Sequence, residues 1–228
     1  MAADFNINHP IRAVLFDLDG TLLDTAPDLA DALNHVLQLE QRQTLSFEEI
    51  RPAVSNGAAG LMQLGFGSTL MEERSEQLRK ELISFYQNNL CNKTTLFDGM
   101  NVLLDTLKQR EIDWGIVTNK PSYLTDPLVA KLGLNEQTDC IISGDTTPHS
   151  KPHPEPILHA CKLLNFTPNE CIYIGDAQRD IEAGSRAGMR TIVAKYGYIA
   201  DFDAIENWGA DGSIDHPESL LNWLDENS

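Results

Sequence analysis

Two aspartates on alternate residues, Asp17 and Asp19, close an apolar run and are followed at once by Gly20 and Thr21. The run Val14-Leu15-Phe16 reads as a buried strand, and Gly20 marks where the chain turns. Carboxylates at i and i+2 share one face of an extended strand, although a turn after Asp17 sets their final geometry. Crowded carboxylates repel unless a cation or a shared proton intervenes. Chemistry on a phosphate group is the best reason for such a cluster.

Polar groups of the right kind end other apolar runs. The run to Thr118 leads into Asn119 and Lys120, and the run to Ile174 leads into Gly175 and Asp176, with Asp180 a turn later. Lys151 stands in Ser150-Lys151-Pro152-His153-Pro154, a loop before a helix that Pro154 could open. Ligands of open parallel sheets sit at the carboxyl ends of the strands, so these residues converge if their strands share one sheet. His149 and His153 have the i, i+4 spacing of a metal pair. Pro152 and Pro154 break the helix that such a pair requires, which leaves both as loop residues at the cleft rim. The sequence holds no Walker A, GxSxG or HExxH pattern.

The elements that must position these groups alternate. Residues 114–118, 140–142, 171–174 and 191–193 are short, apolar and unalternating, as in a sheet covered on both faces. Residues 100–107, 123–132, 157–164 and 180–187 carry helical spacing. That order predicts right-handed crossovers and an open parallel sheet of the α/β class, with 14–17 as one of its strands. Between Asp24 and Leu90 the pattern is helical. Thr25-Ala26-Pro27-Asp28 reads as a helix start with Thr25 as the capping hydroxyl. Met71, Leu78, Leu82, Phe85 and Tyr86 share one face of a further helix. The stretches 55–60 and 65–67 read as turns. We expect an α/β core of residues 1–23 and 97–228 and an all-helical insertion over 24–96.

The 228 residues carry a formal charge of −17, with no basic stripe to displace nucleic-acid counterions. No apolar stretch nears the ~20 residues of a membrane span. The first residues lack the basic and apolar regions of a signal peptide. Cys91, Cys140, Cys161 and Cys171 form no CxxC pair, which suits reduced thiols and a cytoplasmic protein. An anionic chain repels an anionic substrate at long range, so any attraction must be local.

The segments DLDGTLLDT, VTNK, SKPHPEP and GDAQRD resemble, in order, the four motifs of the haloacid dehalogenase-like phosphatase superfamily. The resemblance spans essentially the whole chain. It implies a Rossmann-like core with helices on both faces of a parallel sheet, a small helical cap, a Mg²⁺ ion and an aspartyl-phosphate intermediate. Asp17 would be the nucleophile and Asp19 the general acid/base. Mg²⁺ would be held by the Asp17 carboxylate, the Asp19 backbone carbonyl and Asp176. Thr118 and the Asn119 backbone would bind the phosphoryl oxygens, and Lys151 would stabilise Asp17 and the transferring group. Asp180 would support the metal or Lys151, beside the plainer reading of a helix N-terminal acid. An acid at position 19 disfavours dehalogenase activity.

Within the superfamily, VTNKP, KPHPEP and YGY resemble the phosphoglycolate phosphatase branch, which includes bacterial N-acetylmuramic acid 6-phosphate phosphatases. Residues 54–57, 114–118 and 208–211 look closer to the latter, and GDA replaces the frequent GDS. The expected activity is hydrolysis of a small phosphorylated metabolite, 2-phosphoglycolate or N-acetylmuramic acid 6-phosphate. The oligomeric state stays open. The cap should read the leaving group, with Arg51, Ser55, Asn56 and Gly57 facing the cleft; a solvated helix residue is the plain alternative for Arg51. Opening about residues 23–24 and 95–96 would admit substrate. A sugar phosphomutase shares both aspartates and a similar cap. A phospho-aspartate signalling domain shares the acids, a lysine and a threonine, without the helical insertion. A degenerate binding module would not need all four motifs.

Overall fold

The computed structural model describes residues 10–68, 71–138, 140–200 and 204–227. β1 (Ala13–Phe16) is buried throughout, and its side chains alternate between two apolar layers. The chain then runs through β2 (Leu23–Asp24), α1 (Ala26–Leu39), α2 (Phe47–Ile50), a 3-10 helix (Arg51–Asn56), α3 (Gly57–Phe66), α4 (Glu72–Asn88) and β3 (Thr95–Leu96). Next come α5 (Met100–Gln109), β4 (Asp113–Val117), α6 (Ser122–Lys131), β5 (Ile141–Ile142) and α7 (Glu155–Leu164). The chain closes with β6 (Cys171–Gly175), α8 (Gln178–Arg186), β7 (Arg190–Ala194), β8 (Gly212–Ile214) and α9 (Ser219–Asn227).

Six parallel strands form one sheet in the order β5-β4-β1-β6-β7-β8. On one face Val14, Phe16, Ile116, Ile172 and Ile174 pack with Leu103 and Leu107 of α5 and Leu220 of α9. On the other, Ala13, Leu15, Val117 and Tyr173 pack with Ile157 and Ala160 of α7 and Ala183 of α8. Both faces are thus covered, which is why the strands read as continuous apolar runs. The chain leaves β1 toward β4 and β5, then returns to its other side at β6. Such a reversal opens a crevice at the strand ends.

The helical segment builds its own contacts from the spacing of its apolar residues. α1 buries Leu29, Leu33, Val36 and Leu37, and α4 buries Leu78, Leu82 and Tyr86, one per turn. β2 and β3 pair antiparallel, Leu23 with Leu96 and Asp24 with Thr95, so the two expected crossing points are held together.

Three local expectations are corrected. Residues 57–60 and 65–66 are helical rather than turns, and α3 ends at Gly67 with a φ of 55°. A Cβ on Gly65 would come 3.0 Å from Leu33 of α1, so this glycine serves close helix packing. Met71 is not on the α4 stripe; it precedes the helix and is 77% exposed. Thr25 does not cap α1, because its hydroxyl is engaged elsewhere. Among the described residues, no helix is long and apolar enough to cross a membrane.

Candidate active site

The sheet register brings the expected residues to one edge. The Asp17 N–H donates to the Ile174 carbonyl and the Thr118 N–H to the Ile142 carbonyl, each at 2.9 Å. β6 ends at Gly175, so Asp176 is the first residue beyond it. Strand alternation turns Asp17 toward the layer that holds Leu15 and Tyr173, where the loop before α7 delivers Lys151.

Lys151 is the hub. Its buried ammonium lies 2.9 Å from Asp17 Oδ1 and 2.7 Å from Asp180 Oδ1. It also donates to the Val117 carbonyl at 2.8 Å and to Tyr173 Oη at 2.7 Å. Asn119 fixes the lysine's backbone from both sides. Its Nδ2 donates to the Lys151 carbonyl at 2.8 Å, and its Oδ1 accepts from the Lys151 N–H at 2.9 Å. The Asp180 side chain also accepts from the Ala177 N–H at 3.0 Å, so it caps α8 and pairs with Lys151 at once.

Asp176 Oδ2 accepts from the Tyr198 N–H and from Ser55 Oγ, both at 2.9 Å. A Cβ on Gly20, whose φ is +86°, would lie 2.2 Å from that oxygen. Only glycine permits this approach. The Tyr198 hydroxyl accepts from the Ala26 N–H and donates to Asp24, which ties the YGY segment to the start of the helical block.

Asp17, Asp176 and Asp180 bring carboxylate oxygens within 4.8 Å of one another, all buried. Burial, and then the Asp180 charge, pushes Asp17 up to about 6. Burial, and then the Asp17 charge, pushes Asp176 up to about 7. These are hard oxygen donors in a site with more negative than positive charge, which fits a divalent cation such as Mg²⁺. Asp17 and Asp176 could hold it, since Lys151 and the Ala177 N–H between them engage both oxygens of Asp180.

Asp19 stands apart from that cluster. Its Oδ1 lies 2.7 Å from the Lys120 ammonium and accepts from Thr25 Oγ1 at 2.6 Å. Asp17, Asp19, Thr118 and Asn119 line a cavity of about 480 Å³, together with Ser55, Asn56 and Gly57 from the helical block. Arg51 faces elsewhere, contrary to expectation. Its guanidinium donates to the Gly197 and Tyr196 carbonyls at 2.8 and 2.9 Å and lies over the Tyr198 ring. It clamps the helical block to the segment that follows β7.

The sequence reading gave no site role to three residues that line the cavity: Lys120, named only as following Thr118 and Asn119, Tyr86, named only in an apolar stripe, and Arg179. Lys120 and Arg179 sit inside VTNK and GDAQRD, so their motifs carried the signal. Arg179 donates to the Ser55 carbonyl, a second link between block and core. His149 and His153 do meet, their rings stacked at 4.3 Å and both near Glu155. A loop, rather than a helix, brings them together, and they lie outside the cavity lining.

The family model for haloacid dehalogenase-like hydrolases matches residues 14–194, and the chain belongs to that family. An N-acetylmuramic acid 6-phosphate phosphatase from Pseudomonas putida is 40% identical over 215 residues, covering 94% of this chain and 96% of its own length. A phosphoglycolate phosphatase from Xanthomonas campestris pv. campestris is 39% identical over 209 residues, covering 92% and 94%. The crystal structure of a predicted phosphoglycolate phosphatase from Haemophilus somnus matches with a TM-score of 0.83 at 28% identity, covering 93% and 97%. The enzyme class that these relatives share is phosphoric monoester hydrolysis.

Proposed function

We propose that this chain hydrolyses a small phosphorylated metabolite, N-acetylmuramic acid 6-phosphate or 2-phosphoglycolate, through an aspartyl-phosphate on Asp17. The observation that carries this reading is the Lys151 ammonium 2.9 Å from Asp17, beside a cavity whose lining also holds Asp19. A phosphomonoester dianion resists attack by an anionic nucleophile, and placed positive charge lowers that barrier. Lys151 orients Asp17 and draws charge from the phosphoryl group. The Thr118 hydroxyl and the Asn119 N–H hold the phosphoryl oxygens.

Asp17 attacks phosphorus while the ester oxygen leaves with the proton of Asp19. Asp19 then takes a proton from water, and the hydroxide so formed attacks the phosphoryl group and restores Asp17. Lys120 and Thr25 hold the Asp19 carboxylate for this exchange. Mg²⁺, held by Asp17, Asp176 and the Asp19 backbone carbonyl, would supply charge neutralisation between nucleophile and phosphate.

Residues 24–96 act as the cap, and Ser55, Asn56 and Gly57 contact the leaving group. A volume of about 480 Å³ lies in the range that encloses drug-sized ligands, which favours a sugar phosphate over a two-carbon acid. The test is phosphate release from 2-phosphoglycolate, N-acetylmuramic acid 6-phosphate and hexose phosphates. Release should require Mg²⁺ and vanish in Asp17→Asn. No release from any member would remove the reading.

A further inference from the structure

Ser55 lies in the 3-10 helix Arg51–Asn56 of the helical block, and the core holds both of its polar ends. Its hydroxyl donates to Asp176 Oδ2 at 2.9 Å, and its carbonyl accepts from the Arg179 guanidinium. Asp176 precedes α8 and Arg179 lies in its first turn, so one core segment grips one serine. Asp176 Oδ2 accepts from the Tyr198 N–H as well, whereas Oδ1 meets Thr21 Oγ1 at 3.4 Å, a weaker contact. Two donors on Oδ2 fix the rotation of the carboxylate and leave Oδ1 the less occupied oxygen. Of these donors, Tyr198 belongs to the core and Ser55 to the block. Arg51 adds to the same join through the Tyr196 and Gly197 carbonyls, in a segment so close that a Cβ on Gly197 would come 2.3 Å from Asp176 Cβ. Movement of the block away from the core would take one donor from Asp176 and loosen the backbone that carries the other.

We propose that Ser55 couples the binding of a divalent cation at Asp176 to closure of the helical block over the cavity. In this role it is a positioning residue, acting through the Asp176 carboxylate. Hydrogen bonds to a ligating carboxylate orient it and raise metal affinity. With the block closed, Ser55 and Tyr198 together hold Asp176 turned for the cation. With the block open, only the Tyr198 donor remains. The coupling runs both ways, because a cation that prefers the closed form stabilises that form by the same factor. Ser55 is half-buried, so alanine would remove the link with little loss of packing. The proposal rests on the reading of Asp17 and Asp176 as the holders of the cation.

The experiment titrates the full chain with Mg²⁺ by calorimetry and follows amide hydrogen exchange of residues 51–56, in wild type, Ser55→Ala and Ser55→Thr. Mg²⁺ should slow exchange at those amides in wild type by about tenfold. Ser55→Ala should bind Mg²⁺ about tenfold more weakly, and Mg²⁺ should slow its exchange by less than about twofold. Ser55→Thr, which keeps the hydroxyl, should restore most of both effects. A serine that merely clamps the block predicts faster exchange in Ser55→Ala, with unchanged Mg²⁺ affinity and an unchanged effect of Mg²⁺. That result would overturn the proposal and leave the cation reading standing. If Ser55→Ala does not fold, the wild-type chain decides. Slowing by Mg²⁺ within residues 51–56 supports the coupling, and exchange there that ignores bound Mg²⁺ refutes it. A wild type that binds no Mg²⁺ overturns the cation reading together with the proposal, while phosphate release still tests the phosphatase reading separately.

Discussion

Lys151 meets four oxygen-bearing partners, three on strands or at their ends and the fourth, Asp180, in α8, and none of those contacts is exposed. Removing one partner of a buried ion pair leaves an uncompensated charge, worth about 3–5 kcal/mol. Lys151→Met should therefore lower unfolding stability by about that amount as well as abolish turnover, measured by urea denaturation. The acids give a second prediction. Asp17 and Asp176 keep their protons up to about 6 and about 7, against 3.8 for a free carboxyl. The folded, metal-free chain then binds more protons than the unfolded one between those values. Its stability from these groups is fully present below pH 3.8 and is lost as pH rises through 7. With chelator present, melting temperature should fall between pH 5 and 8, and Mg²⁺ should raise it more at pH 8. Equal Mg²⁺ shifts at both would count against a cation held by these carboxylates.

At the scale of elements, the helical block is anchored by one buried acid. Asp28, in the first turn of α1, accepts from the Lys93 and Thr94 N–H groups and from the Thr94 hydroxyl. These bonds join the first helix of the block to the chain returning toward β3. Asp28→Ala would leave two backbone donors without their partner, one of them buried, at about 1–3 kcal/mol each. We expect about 2–4 kcal/mol of lost stability by urea denaturation; a change below about 0.5 kcal/mol would refute the anchoring role. Below the block, β1 sets the site by register alone. Phe16 pairs with both Ile116 and Ile174, so the residues that follow each strand arrive level with one another.

Across the whole molecule, the helical block and the sheet meet at the proposed site, around Asp176. Ser55 donates to Asp176, Arg179 to Ser55, and Arg51 to the Tyr196–Gly197 segment that borders Asp176. The molecule carries a charge of −17, yet Lys120 and Arg179 line its cavity. The far field repels a phosphate ester while the near field attracts it. Salt screens the first more than the second, because buried charges are shielded less. Raising ionic strength from ~10 mM to ~150 mM at fixed Mg²⁺ should raise kcat/KM for an anionic ester. A steep fall would mean that near-field attraction dominates encounter.

The parallel sheet, the helical insertion and the strand-end positions of Asp17, Thr118 and Asp176 were legible in the sequence, because apolar runs name their own strands and strand ends name their own polar groups; Lys151, in the loop before α7, was singled out by its motif alone. The pairing of those residues was not. Lys151 reaches Asp17 across a separation of 134 positions, 151 less 17, and only sheet register brings the two together. Thr25 read as a cap because its neighbours fit one, but Asp19 offered its hydroxyl a charged acceptor. Arg51 read as a cleft residue because arginine suits anions, but two backbone carbonyls engage it first. Tyr86 read as core, and only the tertiary structure shows that the Lys120 ammonium stands over its ring and that both line the cavity. Local sequence determined which segments bury, since periodicity acts over a few residues, whereas the glycines of 57–60 and 65–66 read as turns and lie in α3. The partner of each polar side chain was decided by the tertiary structure, because hydrogen bonds and ion pairs depend on ångström distances that no one-dimensional pattern encodes.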